Sequence, residues 1–144
     1  MFFVFLRVLV VISGFLEWEF TMFEKLFGRK SPEAGEGQKV QEVNADEAEK
    51  LIRTGGVAVL DVRTPKEWAA GLLAKGAILL DFHGPDFQQG LTALDRGKSY
   101  LVHCAAGARS AKTRDKMVEL GFKSIHHFAG GSRGWESAGK PLVK

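Results

Sequence analysis

The stretch Tyr100-Leu101-Val102-His103-Cys104-Ala105-Ala106-Gly107-Ala108-Arg109-Ser110 decides the reading of this chain. The run Tyr100–His103 predicts a short buried strand, and Ser110–Leu120 predicts a helix with Gly121 in the usual position just past its end. A strand that passes straight into a helix through small residues makes an anion-holding loop. Its consecutive N–H groups turn inward, and the helix N-terminus adds partial positive charge. Ala105, Ala106, Gly107 and Ala108 let the backbone approach a bound group, Gly107 is free to take a positive φ, and Ser110 opens the helix beside them. Arg109 brings a fixed charge with a planar set of donors. A thiol at the mouth of such a loop ionises more easily than a free one, so Cys104 is a candidate nucleophile. A lone cysteine is commonly a small buried hydrophobe. Its place at a strand end, with only small residues before Arg109, sets Cys104 apart.

Outward from this loop the chain alternates apolar runs with helical patterns. Strands are expected at Val40–Val43, Val57–Leu60, Ala77–Leu80 and Ile125–Phe128, besides Tyr100–His103. Asn44 is a good N-cap for a helix through Arg53 that ends at Gly55-Gly56. Thr64-Pro65 opens a short helix that stops at Gly71, and Phe87–Leu94 is irregular or helical. Short strands without polar alternation, separated by helices, indicate an α/β class with a mainly parallel five-stranded sheet covered on both faces. In such sheets ligands sit outside the carboxyl ends of the strands, where Cys104 lies.

Composition narrows the function. The chain has 144 residues, 45% hydrophobic and 26% charged, enough for one domain with extensions. One cysteine excludes an intramolecular disulfide, a Cys-x-x-Cys couple and a cysteine-rich zinc ribbon. A net charge of +3 without a basic run argues against nucleic acid as a partner. His126 and His127 are adjacent on a strand and His83 lies in a loop, with no carboxylate or thiol spacing that completes a metal site.

His103-Cys104-Ala105-Ala106-Gly107-Ala108-Arg109-Ser110 resembles the active-site loop of the rhodanese family of sulfurtransferases. Asp61-Val62-Arg63-Thr64-Pro65-Lys66-Glu67-Trp68-Ala69-Ala70-Gly71 resembles the family's second hallmark. Gly130-Gly131-Ser132-Arg133-Gly134-Trp135 resembles its paired-glycine segment, and Ala138-Gly139-Lys140-Pro141-Leu142 the usual domain end. The resemblance covers residues 40–144. It implies that Cys104 takes a sulfane sulfur from a small donor such as thiosulfate, a polysulfide or a mercaptopyruvate-like compound. The sulfur is then held as a persulfide and passed to a thiol or cyanide-like acceptor, without a metal or organic cofactor. Cys104 and Arg109 would be catalytic, with Ala105, Ala106, Gly107, Ala108 and Ser110 binding the substrate. An alternative is a sulfur-carrier or interaction module that does not turn over. The same fold also hosts phosphatases and arsenate reductases, but their loop has five residues between Cys and Arg. Here there are four, a narrower cradle that suits sulfur.

The chain departs from the family pattern at Gly71-Leu72-Leu73-Ala74-Lys75-Gly76-Ala77, where a histidine is replaced and the turn is one residue longer. Thr113 and Arg114 stand where relatives often carry small apolar residues. Ala105 and Ala106 lack the charge of some thiosulfate-using relatives. Asp61 and Arg63 are expected to organise the loop beside them, with Arg63 pairing with Glu67. His103 should face away from Cys104, since strand side chains alternate. Lys112 and Lys116 read as a solvated helix face, and Trp68 and Trp135 as packing.

Residues 1–21 hold an apolar run, Phe2–Leu16, interrupted by Arg7. It is short of the roughly 20 residues of a membrane span, and Glu17-Trp18-Glu19 offers no small-x-small cleavage site. Three readings stand: a translated leader, a membrane anchor or a signal. The leader reading rests on Trp18-Glu19, whose codons TGGGAA or TGGGAG form a purine-rich stretch two codons before Met22, where a bacterial ribosome-binding site belongs. The anchor reading leaves the domain in the cytoplasm, because Lys25, Arg29 and Lys30 follow the segment. The signal reading exports it, and the leader reading leaves a cytoplasmic protein that meets no membrane. Residues 22–39 read as a linker, flexible over Ser31–Lys39, and 40–144 as the domain.

Overall fold

The strands β1 (Lys39–Glu42), β2 (Ala58–Asp61), β3 (Ile78–Leu79), β4 (Ser99–His103) and β5 (Ser124–Phe128) pair in the order β1-β5-β4-β2-β3. Every pairing is parallel. This is a computed structural model that describes residues 34–144. The expectations for residues 1–21, and for the linker up to residue 33, lie outside the described residues. Strand β4 is central and buried from Tyr100 onward, so Cys104 leaves the sheet at its middle.

Among the described residues four helices connect the strands, α1 (Ala45–Thr54), α2 (Pro65–Ala69), α3 (Phe87–Ala93) and α4 (Ala108–Glu119), and α5 (Gly131–Ser137) follows β5. Two begin with the same device. The Asn44 side chain accepts from the N–H of Glu47 at 2.9 Å, and the Glu47 carboxylate accepts from the N–H of Asn44 at 2.8 Å. Thr64 and Glu67 repeat this at α2, where Pro65 fills the first turn. These reciprocal bonds satisfy N–H groups that a helix start leaves without partners.

Alternation along the strands produces two cores. Leu60, Tyr100, Val102 and Ile125 pack with Leu91 of α3, with Met117 and Val118 of α4, and with Phe122. Val59, Leu101 and Phe128 pack with Ala48 of α1 and Trp135 of α5. The parallel register sets Val59 beside Leu101 and Leu60 beside Val102, so each face stays continuous across the sheet. Helices therefore cover both faces, as the apolar runs imply.

Three details differ from the sequence reading. Helix α4 begins at Ala108, two residues early, because Gly107 takes a left-handed φ of 100° and turns the chain at once. Helix α5 was not expected from Gly-Ser-Arg-Gly-Trp-Glu-Ser, whose glycines disfavour helix. Within the stretch read as flexible, Gln38 and Lys39 are fixed. The Gln38 amide donates to the carbonyls of Val118 and Phe122, both at 3.0 Å, and Lys39 opens β1.

Phe122 is fully buried, edge-to-face with Tyr100 at 5.5 Å between ring centroids. Phe122→Ala should cost about 3–5 kcal/mol. Urea denaturation should show this as a lower midpoint at unchanged slope.

Candidate active site

Cys104 follows β4 and is 1% exposed. The N–H of Gly107 donates to its Sγ at 3.1 Å, and the thiol donates to Ser110 Oγ at 3.4 Å. What orients the loop lies behind it. The N–H groups of Ser132 and Arg133, in the first turn of α5, donate to the carbonyls of Cys104 (2.9 Å) and Ala105 (3.1 Å). Those helix donors need acceptors, and with the two carbonyls turned toward them the loop amides are left to face the sulfur. The approach needs glycine. A Cβ at Gly131, whose φ is +59°, would lie 2.3 Å from the Cys104 oxygen, and one at Gly107 would lie 2.6 Å from the Ala129 oxygen.

The thiol feels two opposing effects. Burial raises its pKa and is the largest single influence. The Ser110 hydroxyl and the N–H groups of Ser110, Gly107 and Ala106 together outweigh it, and Cys104 ionises below the ordinary thiol value. Each expected loop residue, from Cys104 through Ala105, Ala106, Gly107, Ala108 and Arg109 to Ser110, lies in this one turn and the start of α4.

Arg109 meets a partner that the sequence reading assigned elsewhere. Its Nη1 and Nη2 each donate to a different oxygen of Glu67, both at 2.8 Å, as a bidentate pair. The expected Arg63–Glu67 ion pair does not form. Arg63 instead grips Asp61 through Nε at 2.9 Å and Nη2 at 2.7 Å, and reaches only the backbone oxygen of Glu67. Two residues apart at a strand end, Asp61 and Arg63 share a side, and the buried carboxylate takes the nearer guanidinium. Arg63 also donates to the Gly71 carbonyl at 2.8 Å, which ties down the turn that departs from the family pattern. Leu72 pairs there with Val143 and Leu73 is buried.

His103 faces away from Cys104 Sγ, as alternation requires. It lies buried beside Asp61, with Nδ1 at 3.1 Å from the Cys104 carbonyl, and burial first of all lowers its pKa. Trp135 packs against Phe128 and donates to the Pro141 carbonyl, and Trp68 is partly buried. Thr113 Oγ1 donates to the Arg109 carbonyl within α4. Arg114 pairs with both Asp115 and Glu42, so its positive charge is more than offset. Lys112 is exposed, and Lys116 lies 3.9 Å from Glu119. His126 and His127 point to opposite faces of the sheet, and among the described residues no three His, Cys, Asp or Glu side chains gather as a metal site.

Sequence reasoning missed Glu67 as the partner of Arg109, Gly131 as the strut beneath the loop, and the position of His127 against Ser110. The first and last are contacts between residues far apart in the chain. A helical capping pattern flags Glu67, but nothing local announces its second role.

A family model described as a rhodanese-like domain matches residues 44–138. The chain belongs to the rhodanese-like family. A sulfurtransferase from Allochromatium vinosum is 26% identical over 105 residues, which is 72% of this chain and 95% of that protein. Thiosulfate sulfurtransferase 16, chloroplastic, from Arabidopsis thaliana is 29% identical over 118 residues, 75% of this chain and 97% of that one. Among solved structures, a rhodanese-related protein from Thermoplasma volcanium superposes with a TM-score of 0.62 at 29% identity, covering 72% of this chain and 97% of that chain. The rhodanese-like domain thus has sulfurtransferase relatives of nearly its own extent.

The Arg109 guanidinium lowers the Glu67 pKa from 4.5 to about 2. A carboxylate depressed in the folded state stabilises the fold fully above its unfolded value and loses that contribution as pH falls through the folded one. Thermal melts should therefore show this contribution lost between pH 4.5 and about 2. Glu67→Gln, which lacks it at every pH, should melt lower above that window and show a flatter acid limb.

Proposed function

We propose that this rhodanese-like domain is a sulfurtransferase that carries sulfane sulfur on Cys104. The observation that supports the reading most is the position of Sγ among inward-facing N–H groups, in a loop with four residues between Cys104 and Arg109. The thiolate attacks the outer sulfur of a donor such as thiosulfate. The donor's S–S bond breaks, its leaving group departs with the electron pair, and the outer sulfur stays bonded to Sγ. The terminal sulfur of this persulfide is an anion, and the loop donors that stabilise the thiolate stabilise it too. A thiolate or cyanide acceptor then attacks that sulfur, and Cys104 leaves as thiolate. This is two-step covalent catalysis.

Arg109 works as a neutralised pair. With its fork held by Glu67, and with alanines at 105 and 106, the rim adds little net positive charge, so the backbone donors carry anion recognition. That favours sulfane donors as a class, polysulfide and mercaptopyruvate-like compounds alongside thiosulfate. It also fits the cradle to a single sulfur atom rather than to tetrahedral phosphate. A free, reactive thiol without a second cysteine suits a reducing compartment, the cytoplasm.

Incubation with polysulfide should add about 32 Da, one sulfur atom, to Cys104. Thiocyanate should form when cyanide follows. Cys104→Ser should lose both while keeping the fold, and Arg109→Lys should slow turnover roughly tenfold through loss of the paired fork. Failure of the wild type to gain sulfur from any donor would overturn the proposal. Sulfur gain without thiocyanate would point to a carrier that hands sulfur to a dedicated partner.

A further inference from the structure

Behind Cys104 a line of polar contacts runs to the surface. Ser110 Oγ has three neighbours: Cys104 Sγ at 3.4 Å, the Gly107 carbonyl at 3.2 Å, and His127 Nε2, the nearest, at 2.8 Å. His127 is 2% exposed, yet its Nδ1 lies 2.8 and 2.9 Å from the two carboxylate oxygens of Glu42, whose side chain is 55% exposed. Four side chains from β5, β1, α4 and the active-site loop thus connect a buried thiol to solvent.

The proton positions follow from the partners. A carboxylate with both oxygens within 2.9 Å of Nδ1 can only accept, so Nδ1 carries a hydrogen and donates to Glu42. Neutral His127 then offers Nε2 as an acceptor at 2.8 Å, the Ser110 hydroxyl gives its one hydrogen to that nearer atom rather than to the Gly107 carbonyl at 3.2 Å, and Ser110 Oγ accepts from the Cys104 thiol. Every link points the same way. The charged groups facing His127 are Glu42 from β1 and Arg114 from α4, which itself holds Glu42 and Asp115. Its neighbour on β4, Val102, brings no charge.

We propose that Ser110, His127 and Glu42 form a proton relay that takes the Cys104 thiol proton. The proposal rests on the sulfurtransferase reading for its purpose but not for its test. In the step, the Sγ–H bond breaks and a new Oγ–H bond forms at Ser110, while the original Ser110 proton moves to Nε2. The products are a Cys104 thiolate, a Ser110 hydroxyl that now donates to it, and a His127 imidazolium beside Glu42. No other reactant is needed. When Cys104 leaves a persulfide as thiolate, the relay is already in place to hold the charge. Ser110 touches the reacting sulfur and is catalytic. His127 and Glu42 act through it and are positioning residues.

The test is the pH profile of Cys104 alkylation by iodoacetamide in the full chain, which reads thiolate directly and involves no sulfur transfer. His127→Asn keeps a side chain that can accept from Ser110 but cannot take up its proton. Glu42→Gln changes an exposed residue and leaves the buried ones intact. Both should move the profile toward alkaline pH and slow alkylation about tenfold near pH 6, the effect of a one-unit displacement. Ser110→Ala should act in the same direction, and the Ser110→Ala/His127→Asn double variant should be no slower than the slower single, as expected for one connected chain. A Glu42→Gln profile that superimposes on the wild type would overturn the relay, whether or not His127→Asn folds. A relay that fails in this way leaves the persulfide reading standing, and a Cys104 that never gains sulfur leaves the profile unchanged.

Discussion

Two carbonyl groups organise the site. Those of Cys104 and Ala105 accept from the N–H groups of Ser132 and Arg133 at the start of α5, and this fixes which way the loop from Cys104 to Ser110 turns. A loop of this length presents either oxygens or hydrogens to its centre. The first turn of α5 holds the oxygens on the outside and so leaves hydrogens for the sulfur. The contact is close enough that Gly131 has no room for a side chain, and Gly107 makes the compensating turn into α4. Oriented dipoles of this kind need no rearrangement when negative charge arrives, which is the condition under which they are most effective.

Around that loop the charges are arranged in closed pairs. Asp61 and Arg63 satisfy one another beneath the sheet's carboxyl end, and Glu67 holds Arg109 at the rim. Glu67 does so while capping α2, so the helix start and the orientation of the arginine depend on one carboxylate. The buried Asp61–Arg63 pair adds little net stability but is costly to break, since removing one member strands the other. The partly exposed Glu67–Arg109 pair holds Arg109 in one geometry beside the loop.

The sheet was legible because its signals are local. Runs such as Val57–Leu60 and Tyr100–His103 are apolar without alternation, and Asn44, Thr64 and Pro65 mark helix starts by chemistry confined to one turn. The loop was legible for the same reason, since Cys104, Gly107 and Arg109 are neighbours in the chain. What the sequence did not disclose depends on residues brought together by the fold. Glu67 and Arg109 are 42 positions apart, and Glu42 and His127 are 85 apart. Arg63 and Glu67 are close in the chain, but at a strand end Asp61 shares the side of Arg63 and is fully buried. Helix α5 is hidden in the sequence because Gly131 and Gly134 are poor helix formers, and Gly131 serves the close approach to the loop.

The central claim is that the loop amides are arranged to hold an anionic sulfur on Cys104. A crystal structure of the protein after exposure to polysulfide tests it most directly. The account predicts a second sulfur about 2.05 Å from Cys104 Sγ, the length of an S–S bond. That sulfur should lie within hydrogen-bond distance of the loop N–H groups, with the Ser132 and Arg133 bonds to the loop carbonyls intact. A sulfur directed away from the amides, or a loop whose carbonyls turn inward once sulfur is bound, would contradict it.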